Sequence, residues 1–273
     1  MQLTKHHGLG NDFLVVVGTP EAAVKADDAR RLCDRRRGIG ADGLIVATAA
    51  TRPGADADML LYNSDGSIAE MSGNGIRCLA QAIAMARGVA ATELVIDTGA
   101  GRRHLHLTNG PEPATAWVRV GMGPVAGGPR WEPGRAARVA LADARAGNAR
   151  WATADVGNPH LVLAVDDPWA VDVAALGSAL EADVAGGINV EFIAATPGRA
   201  DELDLTVWER GAGVTEACGT GACAAATVAH RWGLVGPTVA VHMPGGDVTV
   251  EVGDEVTLVG PTVYIGRIEV DLG

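Results

Sequence analysis

The chain has 273 residues, 48% of them hydrophobic and only 4% aromatic, with a formal net charge of −11. That is enough apolar material for one large domain or two smaller ones with a core of Ala, Val, Leu and Ile. So acidic a balance argues against a nucleic-acid or anionic-membrane partner, because phosphate binding relies on basic clusters.

The order of elements can be read along the chain from periodicity. An Asn-led strand (Phe13–Val17) precedes a polar helix over about residues 20–36. β-branched runs at Leu44–Thr48 and Met59–Tyr62 read as strands. A glycine-rich turn then enters an alanine-rich helix, Gly75–Arg87, and strands at Glu93–Asp97 and His104–Leu107 follow. The segment 108–117, "TNGPEPATAW", reads as a connection to a second half. That half repeats the plan with strand Leu161–Val165, a helix over about 168–182, and strands Glu191–Thr196 and Leu203–Trp208. Helix Gly221–Trp232 and strands Val239–His242 and Val248–Val252 complete it. A last strand, 262–270, is expected to return to the first half. No run of eighteen apolar residues occurs, so no spanning helix is expected, and "MQLTKHHGLGND" lacks a signal pattern; a cytoplasmic protein is the expectation.

The two halves align with each other. At an offset of 146, "LLYNSDGSIAEMSGNG" lies over "TVWERGAGVTEACGTG" without a gap, matching Glu70 to Glu216, Ser72 to Cys218, Gly73 to Gly219 and Gly75 to Gly221. "TELVIDTGAG" falls on "TVAVHMPGGD" at the same offset, "GNDFLVVV" on "GNPHLVLA" at 147 and "IGADGLIVAT" on "GINVEFIAAT" at 148. The reading is an internal duplication. A helix apolar on nearly every face asks for burial all round. The expected fold is therefore α/β, with two pseudo-symmetric domains, each a curled, mostly antiparallel sheet around a central helix. The expected domains are 1–117, completed by 262–273, and 118–261, with the active site in the cleft between them.

Both central helices begin at a Gly-x-Gly turn. A helix N-terminus offers amides without intrahelical acceptors and a partial positive charge, and glycine lets a ligand approach the backbone. This is an anion site, preceded by Ser72 in one copy and Cys218 in the other. A thiol in that place is expected to have a lowered pKa. Paired helix ends with one protic side chain each suit removal of a proton from one face of a carbon and return to the other, next to a carboxylate whose enolate-like charge the helix ends stabilise. The two lysines, Lys5 and Lys25, lie in no phosphate-cradling loop, so a cofactor-free, two-base racemase or epimerase is the expectation.

Other features point nowhere sharper. Residues 38–43, "GIGADG", fit G-x-G-x-x-G literally, but charged "LCDRRR" precedes them and a strand follows, the wrong context for a dinucleotide. His104 and His106 alternate on one strand without a third ligand nearby, so no metal is expected. Cys33, Cys78 and Cys223 read as small buried thiols, and the cysteine spacings make neither a C-x-x-C pair nor a disulfide framework.

The stretches "HGLGNDF" (7–13), "YNSDGS" (62–67), "SGNGIRC" (72–78), "GNPH" (157–160), "NVEF" (189–192) and "ERGAGVTEACGTGACAA" (209–225) resemble the diaminopimelate epimerase family along essentially the full length. The resemblance implies a pyridoxal-independent isomerase that interconverts LL- and meso-2,6-diaminopimelate in lysine and peptidoglycan synthesis, commonly as a homodimer. It implies that Cys218 is one catalytic thiol and that Ser72 stands where the family has the other. It further implies that Asn11, Asn63, Asn158, Asn189 and Arg210 hold the distal amino-acid end. Gly73, Asn74, Gly219 and Thr220 would meet the reacting carboxylate and Glu209 the reacting ammonium, while His160 supports the chemistry. Two positions depart: Ser72 replaces a cysteine, and Gly43 stands where many members carry a substrate-touching glutamine. A racemase for another amino acid, such as histidine, and an amino-acid-binding protein silenced at Ser72 stay open beside the leading reading.

Overall fold

The computed structural model describes residues 1–18, 24–144 and 149–271. In chain order the elements are β1 (Gln2–Gly8), β2 (Asn11–Val17), α1 (Ala26–Cys33), β3 (Gly43–Thr48), β4 (Ala57–Asn63), β5 (Ile68–Ala69), α2 (Gly73–Arg87), β6 (Thr92–Thr98), β7 (Gly101–Asn109) and β8 (Thr115–Gly123). There follow β9 (Ala126–Gly127), α3 (Arg135–Asp143), β10 (Trp151–Asp155), β11 (Pro159–Ala164), α4 (Val173–Ala182), β12 (Asn189–Ala195), β13 (Glu202–Glu209), β14 (Gly213–Thr215), α5 (Gly219–Arg231), β15 (Thr238–Met243), β16 (Gly246–Glu251) and β17 (Val256–Glu269). The chain divides into two compact units, Met1–Gly121 with Val259–Gly273, and Met122–Leu258.

In the first unit eight strands close on themselves in the order β1-β2-β3-β4-β6-β7-β8-β17 and back to β1. Closure leaves the ring without an open edge. β2–β3 and β4–β6 run parallel. Leu9 and Gly10 both have positive φ, 56° and 85°, between the paired residues Gly8 and Asn11, which is the backbone a two-residue hairpin turn requires. α2 packs against β1, β2, β3 and β7. Its residues from Gly73 through Ala84 are all buried, and Gly88 ends it in the left-handed conformation at φ 67°. Each fully buried Ile or Leu on this helix, such as Ile76 and Leu79, contributes about 1.5–3 kcal/mol.

The second unit uses the same order of pairing, β10-β11-β12-β13-β15-β16, with β9 on β10 and β14 on β13. Here β11–β12 and β13–β15 are the parallel pairs. α5 is buried from Gly219 through Ala229.

The duplication is visible in the ladders, with a corrected register. Gly43 pairs with Asn63 and with Phe13, whereas Asn189 pairs with His160 and is followed by Val190 opposite Trp208. β3 and β12 therefore correspond at an offset of 146, not 148. The hairpins Thr98–Gly101 and Met243–Gly246 correspond at 145, not 146. In the sequence the identities of Ile45, Ala47 and Thr48 with Ile193, Ala195 and Thr196, and of Gly99 with Gly245, favour the other offsets, whereas inward and outward alternation decides register in a folded sheet.

Three further expectations are corrected. Segment 108–117 is not a connection between halves. It is the hairpin of β7 and β8, with Asn109 opposite Ala116. Within the described residues the first polar helix is α1 alone; residues 20–23 of the expected span lie outside them. The helix expected over 168–182 breaks into a 3-10 turn, Pro168–Ala170, and α4, because Asp167 and Asp172 each cap a fresh start.

Candidate active site

Each unit presents one helix end. In the first, Ser72 sits at φ −136°, ψ 126°, and its hydroxyl accepts a hydrogen bond from the Gly75 amide at 3.0 Å. In the second, Cys218 has the same role at φ −127°, ψ 114°, its Sγ accepting from Gly221 at 3.3 Å. Gly73 and Gly219 thus open their helices two residues earlier than the sequence suggested. Gly75 and Gly221 let each helix end approach its sheet closely: a Cβ would stand 3.1 Å from Ile45 Cδ1 in one case and 2.8 Å from Glu191 Oε1 in the other.

Around Ser72 the polar groups are tied to one another. Asn74 Nδ2 donates to Asn11 Oδ1 at 3.2 Å, and Asn11 Nδ2 donates to Asp42 at 2.8 Å. Asn74 Oδ1 accepts from Arg77, a fully buried guanidinium that also donates to the Gly73 and Pro261 carbonyls. Arg77 and Asp42 were not singled out in the sequence; a charge inside an alanine-rich helix was the signal for the first. Asn63 is exposed and donates to Ser67 Oγ at 2.9 Å within its own turn.

Around Cys218 the chain of contacts is longer. His160 Nδ1 lies in hydrogen-bond contact with Glu191 Oε1 at 2.6 Å, and His160 Nε2 with Asn158 Oδ1 at 2.9 Å. Asn158 Nδ2 donates to Thr220 Oγ1 at 3.4 Å, and that hydroxyl lies 3.5 Å from Cys218 Sγ. Glu209 accepts from the Thr215 hydroxyl at 2.5 Å. Both ends of the Asn189 amide serve the scaffold: Nδ2 donates to Pro159 O at 2.9 Å and Oδ1 accepts from the Arg210 amide at 3.0 Å. Asn189 thereby holds the backbone that carries Arg210, whose exposed guanidinium reaches only Gly186 O, at 3.4 Å, among the described contacts.

The electrostatics correct one expectation. The Cys218 thiol is not lowered by the helix end; it is pushed well above the ordinary thiol range. Burial dominates, and the negative charges of Glu209 and Glu191 add to it, against weaker help from Thr220 and the Gly221 amide. Burial likewise pushes the Glu209 carboxyl up, opposed by hydrogen bonds from Thr215 and Cys218. The thiol and its neighbouring carboxylate therefore both hold protons more tightly than usual.

The remaining cysteines are buried, with Cys33 pushed up to about 12 and Cys78 to about 11 by burial. Residues 38–43 follow helix α1 and lead into strand β3, the reverse of a dinucleotide fingerprint. His104 and His106 are both exposed on β7, and no group of three or more metal-ligating side chains occurs among the described residues. No helix among the described residues is long and apolar enough to cross a membrane.

The family model described as Diaminopimelate epimerase matches residues 3–126 and 152–269. The chain belongs to this family. It is 40% identical to the diaminopimelate epimerase of Desulfitobacterium hafniense over 97% of this chain and 96% of that one. It is 39% identical to the diaminopimelate epimerase of Synechococcus elongatus, with 97% and 96% covered. Among solved structures, a predicted epimerase from Pseudomonas aeruginosa superposes with a TM-score of 0.76 at 16% identity, covering 98% of each chain. A hydroxyproline epimerase from Agrobacterium vitis gives 0.72 at 18% identity, covering 100% of this chain and 92% of that one. These two likenesses speak for the fold.

Membership in the diaminopimelate epimerase family gives weight to the two departures. A Cβ at Gly43 would lie 2.7 Å from the Tyr62 carbonyl oxygen and 3.2 Å from the Phe13 ring. A glutamine therefore does not fit there unless the backbone shifts. Ser72 keeps the capping geometry of Cys218 with a hydroxyl in place of a thiol.

Proposed function

We propose that this protein interconverts LL- and meso-2,6-diaminopimelate without a pyridoxal cofactor, each half supplying one proton group, Cys218 from the second and Ser72 from the first. The observation that carries the reading is the twice-built helix end, with Ser72 and Cys218 in matching backbone conformations and matching cap bonds. Family membership at about 40% identity over nearly the whole chain supports the substrate.

The chemistry follows from the charges around the thiol. In the free protein Glu209 helps to keep Cys218 protonated. A substrate ammonium set against Glu209 cancels that field, so the thiol loses its proton more readily once substrate is bound. The thiolate then takes the α-proton, and the amides at the helix start stabilise the charge that appears on the substrate carboxylate. Arg210 and the asparagines Asn11, Asn63 and Asn158 are proposed to recognise the distal amino-acid end, with Asn189 acting through the Arg210 backbone. Ser72 returns a proton to the opposite face. Assembly as a homodimer in the cytoplasm belongs to the same proposal, and light scattering of the purified chain tests the dimer.

The deciding experiment incubates the purified chain with LL-diaminopimelate in deuterated water and resolves the stereoisomers. Meso product with α-deuterium is expected, and none from Cys218→Ala. Binding without α-proton exchange, in the native chain and in Ser72→Cys alike, would establish an amino-acid-binding protein instead.

A further inference from the structure

The two helix ends rest on different floors. Beneath Gly75 lies Ile45, and beneath Gly221 lies Glu191, in corresponding positions of the two sheets: Ile45 pairs with Val15 and Leu61, Glu191 with Val162 and Val207. Phe13 and His160 correspond in the same way, opposite Gly43 and Asn189. An aliphatic and an aromatic side chain therefore satisfy the packing under a helix end of this shape. The second half replaces both with ionisable groups, and His160 and Glu191 are each 0% exposed.

Such a replacement does not serve stability. A buried ion pair is often no better than well-packed apolar residues, and an unsatisfied polar atom adds to the cost. Glu191 Oε1 has His160 Nδ1 at 2.6 Å, but Oε2 is buried with no hydrogen-bond partner. The side chains that face this carboxylate are His160 on β11, Glu209 on β13 and Cys218 at the start of α5, and its charge bears on both of the latter.

We propose that Glu191 is a positioning residue for the reaction, its carboxylate holding His160 with a proton on each ring nitrogen and, through Asn158 and Thr220, setting the hydroxyl beside the Cys218 thiol. Both ring nitrogens face oxygens, Glu191 Oε1 at 2.6 Å and, with the Asn158 amide oriented as it is, Asn158 Oδ1 at 2.9 Å, an arrangement that suits a proton on each nitrogen. With Nε2 donating to its oxygen, Asn158 must turn its Nδ2 toward Thr220. The Thr220 hydroxyl thereby has an oriented donor on one side and Cys218 Sγ on the other. The inference rests on the epimerase reading and deepens it: only the half that carries the thiol has this relay.

The test compares the native chain with Glu191→Gln, which keeps the size and one acceptor but not the charge. The kcat for diaminopimelate is expected to fall about a hundredfold, the scale of a misplaced reacting group, with KM little changed. The 15N shifts of the His160 ring at neutral pH should show two protonated nitrogens in the native chain and one in Glu191→Gln. The melting temperature should hold or rise, since a buried charge has been removed. Glu191→Asp retains the charge and should keep the doubly protonated ring with a smaller loss of kcat. A native-like kcat in Glu191→Gln, or a ring spectrum unchanged by it, would overturn the proposal. Should the native chain convert no diaminopimelate at all, the epimerase reading falls, and the ring spectrum still decides whether Glu191 holds the proton on His160. If Glu191→Gln does not fold, loss of one ring proton in Glu191→Asp overturns the proposal and its retention upholds it.

Discussion

The Thr215 hydroxyl donates to Glu209 Oε1 at 2.5 Å, tying a desolvated carboxylate to the short strand that leads into α5. This bond is one of those pulling Glu209 down against the upward push of burial. Removing it in Thr215→Val should leave the push less opposed, so Glu209 holds its proton to higher pH. The acid limb of kcat/KM against pH should move upward, with activity at high pH little changed. An acid limb that stays in place in Thr215→Val would remove Glu209 from the groups that govern turnover.

Position 72 should limit the reaction. A hydroxyl is a far weaker acid than a thiol, whose ordinary value is about 8.5, so Ser72 abstracts a proton slowly even if it can return one. Solvent deuterium should enter the isomer whose C–H faces Cys218 faster than inversion proceeds. Ser72→Cys should raise inversion by an order of magnitude or more, within the range of about 10²–10⁴ associated with a proton-transfer group. Full activity in Ser72→Ala, with no gain in Ser72→Cys, would take position 72 off the proton path.

Arg210 offers an exposed guanidinium on a backbone pinned by Asn189. Arg210→Ala should cost about 1.5–3 kcal/mol of transition-state binding with diaminopimelate, the scale of one charged hydrogen bond. With an amino acid that lacks the distal group the loss should be much smaller. Equal losses on both substrates would show that Arg210 is no distal anchor.

The buried thiols make folding stability sensitive to alkali. Cys33 and Cys78 are held protonated up to about 12 and about 11, above the ordinary thiol value. For a group raised on folding, the contribution is fully present below the unfolded pKa and is lost as pH rises from there to the folded value. Urea unfolding should therefore show the thiols' contribution falling above about pH 9, by up to about 1.4 kcal/mol per pH unit for each such group. Cys78→Ala, although it leaves a small cavity, should make the alkaline fall shallower. An unchanged slope would mean that Cys78 does not titrate between the two states.

The duplication, the two buried helices, the paired Gly-x-Gly turns and the family were legible in the chain itself, because glycine turns, helical periodicity and local motifs are encoded over a few neighbouring residues. Ser72 and Cys218 could be matched from the Gly-x-Gly pattern alone, and the cap bonds now give that match its geometry. What surrounds those caps was decided by tertiary structure. Glu191 reads in the sequence as one charge in the strand "NVEF", and only the register of β12 on β11 and β13 turns it under α5, against His160. The pKa of Cys218 went the other way for the same reason. A helix end acts on its cap locally, whereas burial and two carboxylates from β12 and β13 act through space. Strand register and desolvation depend on which distant segments meet, and a linear sequence carries those meetings only as a product of the whole fold.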